Sequence, residues 1–242
     1  RIRKAKTALL EDFLPRVALD PQKPLAFGII PEKICLEIGF GDGQHLYGQA
    51  KNNPQNGYVG VEVFQNGVAN LLTLISGIKD GDKLPEEIRA EDYPVRNIRV
   101  YDDDVRLLFK QIPDNFFDKV FLLFPDPWPK KKHAGRRFVN PDNLKEVYRV
   151  LKTGGLFRIA TDHPVYKRHV CGRCIRMLVL SGRQSAGKTG NANRRIGSGR
   201  SISKRLFGKA GGRCFLTIGK FKPCESINAV QNIILKNIAI SC

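Results

Sequence analysis

The sequence predicts a doubly wound, mostly parallel α/β sheet, because short apolar runs alternate with helical patterns between residues 34 and 160. The 242 residues are enough for one such core. Five strands are predicted, at Ile34–Ile38, Tyr58–Val63, Ile98–Tyr101, Lys119–Phe124 and Leu156–Ala160. Four helices are predicted between them, at Gln44–Lys51, Gly67–Ile78, Val105–Gln111 and Pro141–Leu151.

The segments around this alternation have weaker signals. Arg1–Lys6 is a basic arm, and Ala8–Leu14 is predicted to form a short helix. The proline-rich stretch from Pro15 to Pro31 is expected to be irregular. The last helix of the alternation is expected to stop at the glycine pair 154–155.

The net charge of +18 indicates a polyanionic partner. Residues 171–242 carry +13 of this charge and residues 1–170 only +5. We therefore expect a domain over 1–170 and an atypical basic tail over 171–242, which is partly the end of the same domain. Because no apolar run is long enough to cross a bilayer and no secretory signal follows the basic arm, we expect a cytoplasmic protein.

A glycine loop follows the first predicted strand and suggests a cofactor. Gly39, Gly41 and Gly43 alternate along it, and Glu37 precedes it. A dinucleotide fingerprint would place its third glycine where this sequence has Gln44, which argues against a nicotinamide enzyme. The spacing favours S-adenosylmethionine, whose amino group needs a carboxylate such as Glu37 and whose carboxylate can bind helix N–H groups. The alternative is a purely structural strand-to-helix turn.

Acidic residues also follow the next two strands. Glu62 ends the second strand, where a carboxylate can accept both ribose hydroxyls. Asp103, within Asp102–Asp104, is a candidate acceptor for the adenine amino group, although the residues alone do not say which of the three carboxylates points inward. Either site could instead be a solvated acid at a strand end.

A rigid segment follows the fourth strand and is the candidate reaction site. Pro125 and Pro127 flank Asp126 and restrict the backbone there. Trp128 offers a flat surface on which a base can stack. Six cations follow and could hold phosphates, at Lys130, Lys131, Lys132, His133, Arg136 and Arg137. The alternative is a rigid loop with a solvated basic face. No histidine has a Ser or Cys partner pattern, so covalent catalysis is not implied.

From the basic arm to about His169, the sequence resembles the bacterial tRNA (guanine-N7)-methyltransferases. The motifs that carry this resemblance are Cys35–Gly41, Gly60–Glu62, Phe124–Trp128, the following Lys with His-x-x-Arg-Arg, and Ala160–Asp162. The resemblance implies a Rossmann-like class I methyltransferase that transfers a methyl group from S-adenosylmethionine to N7 of guanine 46 in the variable loop of tRNA.

The resemblance also implies roles for single residues. Glu37, Glu62, Asp103 and Asp126 would contact S-adenosylmethionine, with Gly39 and Gly41 in the cofactor loop. Asp126 would also be catalytic, and Lys130 and Asp162 would contact tRNA. Guanine N7 already carries a lone pair, so Asp126 would orient the base and need not remove a proton.

The tail departs from the family. A late T-x-Y-E-x-K-A stretch of the family matches 203–210 without its Tyr and Glu, which suggests a frame-shifted or decayed end. We expect 171–203 to be poorly ordered and Cys214–Ile218 to be the one convincing late strand. Cys171 and Cys174 have no second close pair, so no metal site is predicted. The alternative function is a catalytically weak RNA-binding relic.

Overall fold

A computed structural model describes residues 4–78, 93, 95–173, 208–210 and 213–219. Its internal contacts divide the chain into two compact units, Arg1–Leu122 and Leu123–Cys242. The sequence predicts poor order for residues 171–203, but only residues 171–173 of that segment are among the described residues. Cys174, the second cysteine of the C-x-x-C pair, also lies outside them.

The first unit contains four parallel strands in the order β3-β2-β1-β4. From β1 the chain steps outward to β3 and then returns to the other side of β1, which is the doubly wound arrangement that the sequence predicts. Its strands are β1 (Ile34–Ile38), β2 (Gly57–Val61), β3 (Ile98–Tyr101) and β4 (Phe117–Leu123). Its helices are α1 (Lys4–Ala8), α2 (Leu14–Val17), α3 (Gln44–Asn52), α4 (Gln65–Ser76) and α5 (Val105–Phe109), with a π-helical turn at Leu9–Phe13.

β1 and β2 are buried in the core of the first unit and end side by side. All five residues of β2 are buried, as expected for a parallel strand covered on both faces. Leu36 of β1, Val59 of β2 and Leu72 of α4 are fully buried, and burying each such side chain contributes about 1.5–3 kcal/mol. Because β1 and β2 pair from Ile34↔Gly57 to Ile38↔Val61, they end side by side, and the residues after them face the same edge.

The second unit contains α6, β5, a helix over 164–173, β6 and β7. Their bounds are Pro141–Val150 for α6, Leu151–Thr161 for β5, Gly208–Ala210 for β6 and Arg213–Gly219 for β7. β7 pairs antiparallel with both β5 and β6. The late strand predicted at Cys214–Ile218 is confirmed, but it is not alone, because β6 adds three residues beside it.

Two local predictions were wrong. The glycine pair 154–155 does not end α6, because Leu151 already has extended backbone angles and the chain passes directly into β5. Gly154 instead takes a positive φ of 82° within that strand. The irregular stretch does not begin at Pro15, because a proline fits the first turn of α2, where its missing N–H would have no helical partner.

Candidate active site

The glycine loop between β1 and α3 has three left-handed residues, each at a glycine. φ is +66° at Gly39, +59° at Gly41 and +78° at Gly43. A Cβ at Gly39 or Gly41 would meet nothing within 4 Å, whereas one at Gly43 would lie 2.8 Å from the Cβ of Leu71. Gly43 is therefore required by packing, while Gly39 and Gly41 offer bare backbone that a ligand can approach closely.

Glu62 is bound to the glycine loop. It follows β2 directly, and its Oε2 accepts a hydrogen bond of 2.8 Å from the N–H of Gly41. Its Oε1 accepts one of 3.0 Å from the N–H of Phe64. The carboxylate thus holds two backbone segments together, in addition to the ribose-binding role that we expect for it.

The start of α4 packs against the same loop, which the sequence did not indicate. A Cβ at Gly67 would lie 2.3 Å from the carbonyl oxygen of Gly41 and 3.2 Å from Cγ of Glu62. A Cβ that lies this close to a backbone oxygen would force the helix or the loop to shift. Gly67, predicted only as the start of a helix, is therefore the position at which α4 can approach the loop.

Glu37 is deeply buried, at 3% exposure, and its carboxylate has a histidine partner. Its Oε2 lies 2.7 Å from Nδ1 of His45, in the first turn of α3. The ring of His45 also packs edge-on against Phe121 of β4, with 5.2 Å between ring centroids. Sequence reasoning missed this partner, although the eight-residue spacing across a strand-to-helix turn was visible.

The structure separates Asp104 from the other two acids after β3. The side chain of Asp104 caps α5 by accepting from the N–H of Arg106 at 2.9 Å, and it is also paired with the guanidinium of Arg106. The hydrogen bond from Arg106 lowers the pKa of Asp104. Asp104 therefore caps the helix. Asp102 and Asp103 are both exposed, and Asp103 remains the candidate for adenine that the resemblance implies.

We expect replacement of Glu62 by Ala to weaken S-adenosylmethionine binding by about 1–3 kcal/mol, because backbone donors of the loop and the ribose hydroxyls lose their acceptor. Glu62→Gln should weaken S-adenosylmethionine binding nearly as much, since its amide nitrogen cannot accept from the N–H of Gly41 or Phe64. Titration calorimetry measures both, with the exposed Glu32→Ala as a charge-matched control. Parental affinity in both Glu62 variants would contradict the assignment.

In the second unit, Asp126 lies in a loop with unusual backbone geometry. Phe124 and Trp128, two bulky residues on either side of it, have positive φ angles of 48° and 40°. Such conformations cost about 1–3 kcal/mol each and persist only where the surroundings enforce them. One end is held by the N–H of Phe124, which donates to the carbonyl of Ala160 at 2.9 Å. The carboxylate of Asp126 is exposed.

Arg137 is not a phosphate ligand, contrary to the sequence prediction. Its side chain is buried, and its Nε donates to the carbonyl of Pro127 at 3.0 Å. Its Nη2 donates to the carbonyl of Trp128 at 2.8 Å. A buried guanidinium that is bonded to loop carbonyls supports the loop and is withheld from solvent phosphates.

The other cations have the expected exposure. Lys130, Lys131, Lys132 and Arg136 are exposed, on or beside the 3-10 helix Lys131–Arg136. The guanidinium carbon of Arg136 lies 4.9 Å from the centre of the Trp128 ring, and the ring of His133 packs perpendicular to the indole with 5.7 Å between ring centroids. Arg136 therefore occupies one face of the indole, which leaves only the other face for a base.

Asp162 is also placed as expected, directly after β5 and exposed. The turn that follows is held by the N–H of His163, which donates to Oγ1 of the buried Thr161 at 3.2 Å. The Asp162 side chain is thus presented at the end of a strand whose last residue is fixed.

The residues of the first unit fit S-adenosylmethionine. Two glycines with open space in front of them, the carboxylate of Glu62 at the end of β2 and the buried carboxylate of Glu37 provide the backbone access and acceptors that this cofactor needs. In the described part of the chain, no group of three His, Cys, Asp or Glu could hold a metal ion. No helix there has the length and apolarity to span a bilayer.

Comparison with known proteins assigns the chain to a family. The sequence profile of the family described as "Putative methyltransferase" matches residues 31–188. The tRNA (guanine-N(7)-)-methyltransferase of Granulibacter bethesdensis is 42% identical over 170 residues, which cover 70% of each chain. That of Paramagnetospirillum magneticum is 40% identical over 172 residues, which cover 68% of this chain and 66% of the relative. The matched region thus spans about two thirds of the length of these relatives.

The strand order and the glycine loop with its carboxylates define a class I methyltransferase with S-adenosylmethionine as its cofactor. Within that class, the chain belongs to the family of the bacterial tRNA (guanine-N7)-methyltransferases.

Proposed function

We propose that this chain transfers the methyl group of S-adenosylmethionine to N7 of guanine 46 in the variable loop of tRNA, in the cytoplasm. The observation that carries the proposal is the Asp126 loop, in which an exposed carboxylate stands between two enforced left-handed residues. Family membership supports the base and the atom, and the exposed cations beside Trp128 support an RNA substrate.

The reaction needs alignment more than acid–base chemistry. Bound S-adenosylmethionine supplies an electrophilic methyl group on a sulfonium sulfur. The lone pair of guanine N7 forms the new N–C bond while the S–C bond breaks, so the guanine ring gains positive charge. We expect Asp126 to accept from the N1–H and the amino group of guanine, which become stronger donors as that charge develops. The hydrogen bonds therefore tighten in the transition state.

The cofactor-binding roles in this proposal belong to Glu37, Gly39, Gly41, Glu62, Asp103 and Asp126, the last of which is also the catalytic residue. The carboxylates of Glu37 and Glu62 would bind the amino group and the ribose, while the bare backbone of the loop permits close approach. Lys130 and Asp162 have the substrate-binding roles. Lys130 would contact a phosphate as a point charge, and Asp162 would accept from RNA donors.

The decisive experiment is mass spectrometry of unmodified tRNA incubated with the purified chain and S-adenosylmethionine. The proposal predicts N7-methylguanine at position 46, and a transcript with adenine at that position should gain no methyl group. Binding of tRNA without methylation would favour the alternative, an RNA-binding relic.

We expect the double replacement of Lys131 and Lys132 by Ala to weaken tRNA binding and to flatten its salt dependence. Each lysine–phosphate ion pair that is lost should reduce the magnitude of the slope of log K against log salt by about 0.7–0.9, because fewer counterions are released. The control is the double replacement of Lys51 and Lys110 by Ala, two exposed lysines of the first unit, which removes the same charge. Equal slopes for the two double variants would contradict phosphate binding by Lys131 and Lys132.

A further inference from the structure

We propose that Arg137 and His169 are positioning residues of this reaction. Arg137 holds the carbonyls of Pro127 and Trp128 and thereby fixes the carboxylate of Asp126, and His169 holds Arg137 in place. The inference rests on the proposed function for its kinetic part only. Its structural part concerns the second unit alone and is tested separately.

Arg137 is a buried cation. Its side chain is 7% exposed, whereas its neighbour Arg136 is exposed. A buried guanidinium is costly unless its N–H groups are bonded. Its acceptors in the described part of the chain are uncharged, namely two carbonyl oxygens and a ring nitrogen of His169. Arg137 therefore orders the groups that it contacts.

The two carbonyls that Arg137 binds lie next to Asp126 in the chain. Pro127 and Trp128 immediately follow Asp126, and Trp128 has one of the two positive φ angles of the loop. Both bonds come from one rigid, planar guanidinium, so the relative orientation of two successive peptide groups is fixed. The bond from Phe124 to Ala160 holds the other end of the loop. Asp126 lies between two restrained ends, and Arg137 is the side chain that restrains the second one.

The two hydrogen bonds of His169 define the protonation state of its ring. Its Nε2 lies 2.6 Å from the carbonyl oxygen of Val139, so Nε2 carries the proton and donates. Nδ1 then has a free lone pair, which accepts from Nη1 of Arg137 at 3.2 Å. A proton added to Nδ1 would turn the acceptor into a donor that faces another donor. The neutral ring is therefore the form that supports Arg137.

The surroundings of His169 favour that neutral form. Burial lowers the pKa of His169, the hydrogen bond to Val139 opposes this shift, and the charges of Arg137 and Arg173 lower the pKa further. The ring of Tyr166 packs beside it, with 5.9 Å between centroids. Because the folded pKa is depressed, the bond to Arg137 is maintained above that pKa and is lost as the pH falls through it.

The structural test uses Trp128, the single tryptophan of the sequence, as a fluorescent reporter of the loop. His133→Gln serves as the parent, because the ring of His133 packs against the indole and would affect its emission directly. Acidification should change the emission of this parent in one step. Adding His169→Asn should abolish the step, because the amide oxygen replaces Nδ1 as an acceptor and does not titrate.

The kinetic test compares replacements of His169 and Arg137 in methyl transfer to tRNA. His169→Leu and Arg137→Lys should lower kcat about 10- to 100-fold, because small misplacements of a reacting group have effects of this size. Their KM for S-adenosylmethionine should stay within about twofold of the parental value. His169→Asn should retain kcat within about threefold and lose the acid limb of the pH profile. Urea unfolding checks that each variant is folded.

The outcomes are separable. A fluorescence step that survives in the His169→Asn variant overturns the coupling between His169 and the loop. Parental kcat in His169→Leu and Arg137→Lys overturns the positioning role while the proposed function stands. If the unaltered chain methylates no tRNA, the proposed function fails, and the fluorescence result alone decides whether these residues hold the loop.

Discussion

Replacing Asp126 by Asn is expected to lower kcat for tRNA methylation about 10²–10³-fold, the effect of removing one hydrogen bond that strengthens in a transition state. The Asn amide has the same shape as the carboxylate but would direct a donor, or one neutral acceptor, at the N1–H and amino group of guanine. It also lacks the negative charge that stabilises the charge developing on the guanine ring. The exposed position of Asp126 means that the fold should tolerate the change.

Single-turnover methylation with radioactive S-adenosylmethionine measures this loss, and calorimetry measures cofactor affinity in parallel. We expect only a modest change in affinity, because the main role of Asp126 concerns the guanine and several other residues also bind the cofactor. The control is Asp142→Asn in the first turn of α6, which removes the same charge from an exposed residue of the same unit. If Asp126→Asn methylates tRNA as fast as the control, Asp126 has only a structural role.

Replacing Gly67 by Ala is expected to reduce S-adenosylmethionine affinity by about tenfold or more, which corresponds to about 1.4 kcal/mol. The new Cβ would lie 2.3 Å from the carbonyl oxygen of Gly41, so either α4 or the glycine loop must move. Movement of the loop would break the bond from the Gly41 N–H to Glu62. Overpacking of this kind also lowers the free energy of unfolding, by about 1–3 kcal/mol.

Gly48→Ala is a matched control for this experiment. Gly48 lies within α3, and a Cβ there would meet nothing within 4 Å. We expect that change to raise the free energy of unfolding by about 0.5–1 kcal/mol, because alanine loses less conformational entropy in a helix. Urea unfolding and calorimetry on both variants separate the local clash from a general effect of adding a methyl group. Parental cofactor affinity in Gly67→Ala would show that the approach of α4 does not shape the loop.

Local sequence patterns were sufficient for the doubly wound sheet and the positions of most candidate residues. Strand and loop signals in a parallel α/β fold are local, since apolar runs, glycines and prolines act within a few residues. For this reason β1 and β3 were predicted with the bounds that the structure has, and Glu62 and Asp162 were predicted near the ends of strands, which the structure places directly before them. The strand order β3-β2-β1-β4 was not itself predicted, but it is a doubly wound arrangement and so agrees with the predicted fold class.

The partners of buried polar groups were decided by the tertiary structure. Arg136 and Arg137 are adjacent and chemically identical, yet one stacks on Trp128 and the other is buried against loop carbonyls. Their sequence context could not separate them, because the difference arises from which side of the turn faces the helix that carries His169. The same reason explains the missed pairing of Glu37 with His45, which depends on how α3 lies over the end of β1.

The sequence by itself therefore determined the fold class, the cofactor loop and the residue types available for chemistry, because these depend on local periodicity and on the chain positions of acids, glycines and prolines. The tertiary structure decided which side chains are free to bind a ligand and which maintain the site. Exposure and hydrogen-bond partners depend on contacts between segments far apart in the chain, such as Gly67 with Gly41 and His169 with Arg137, and no local pattern encodes those distances.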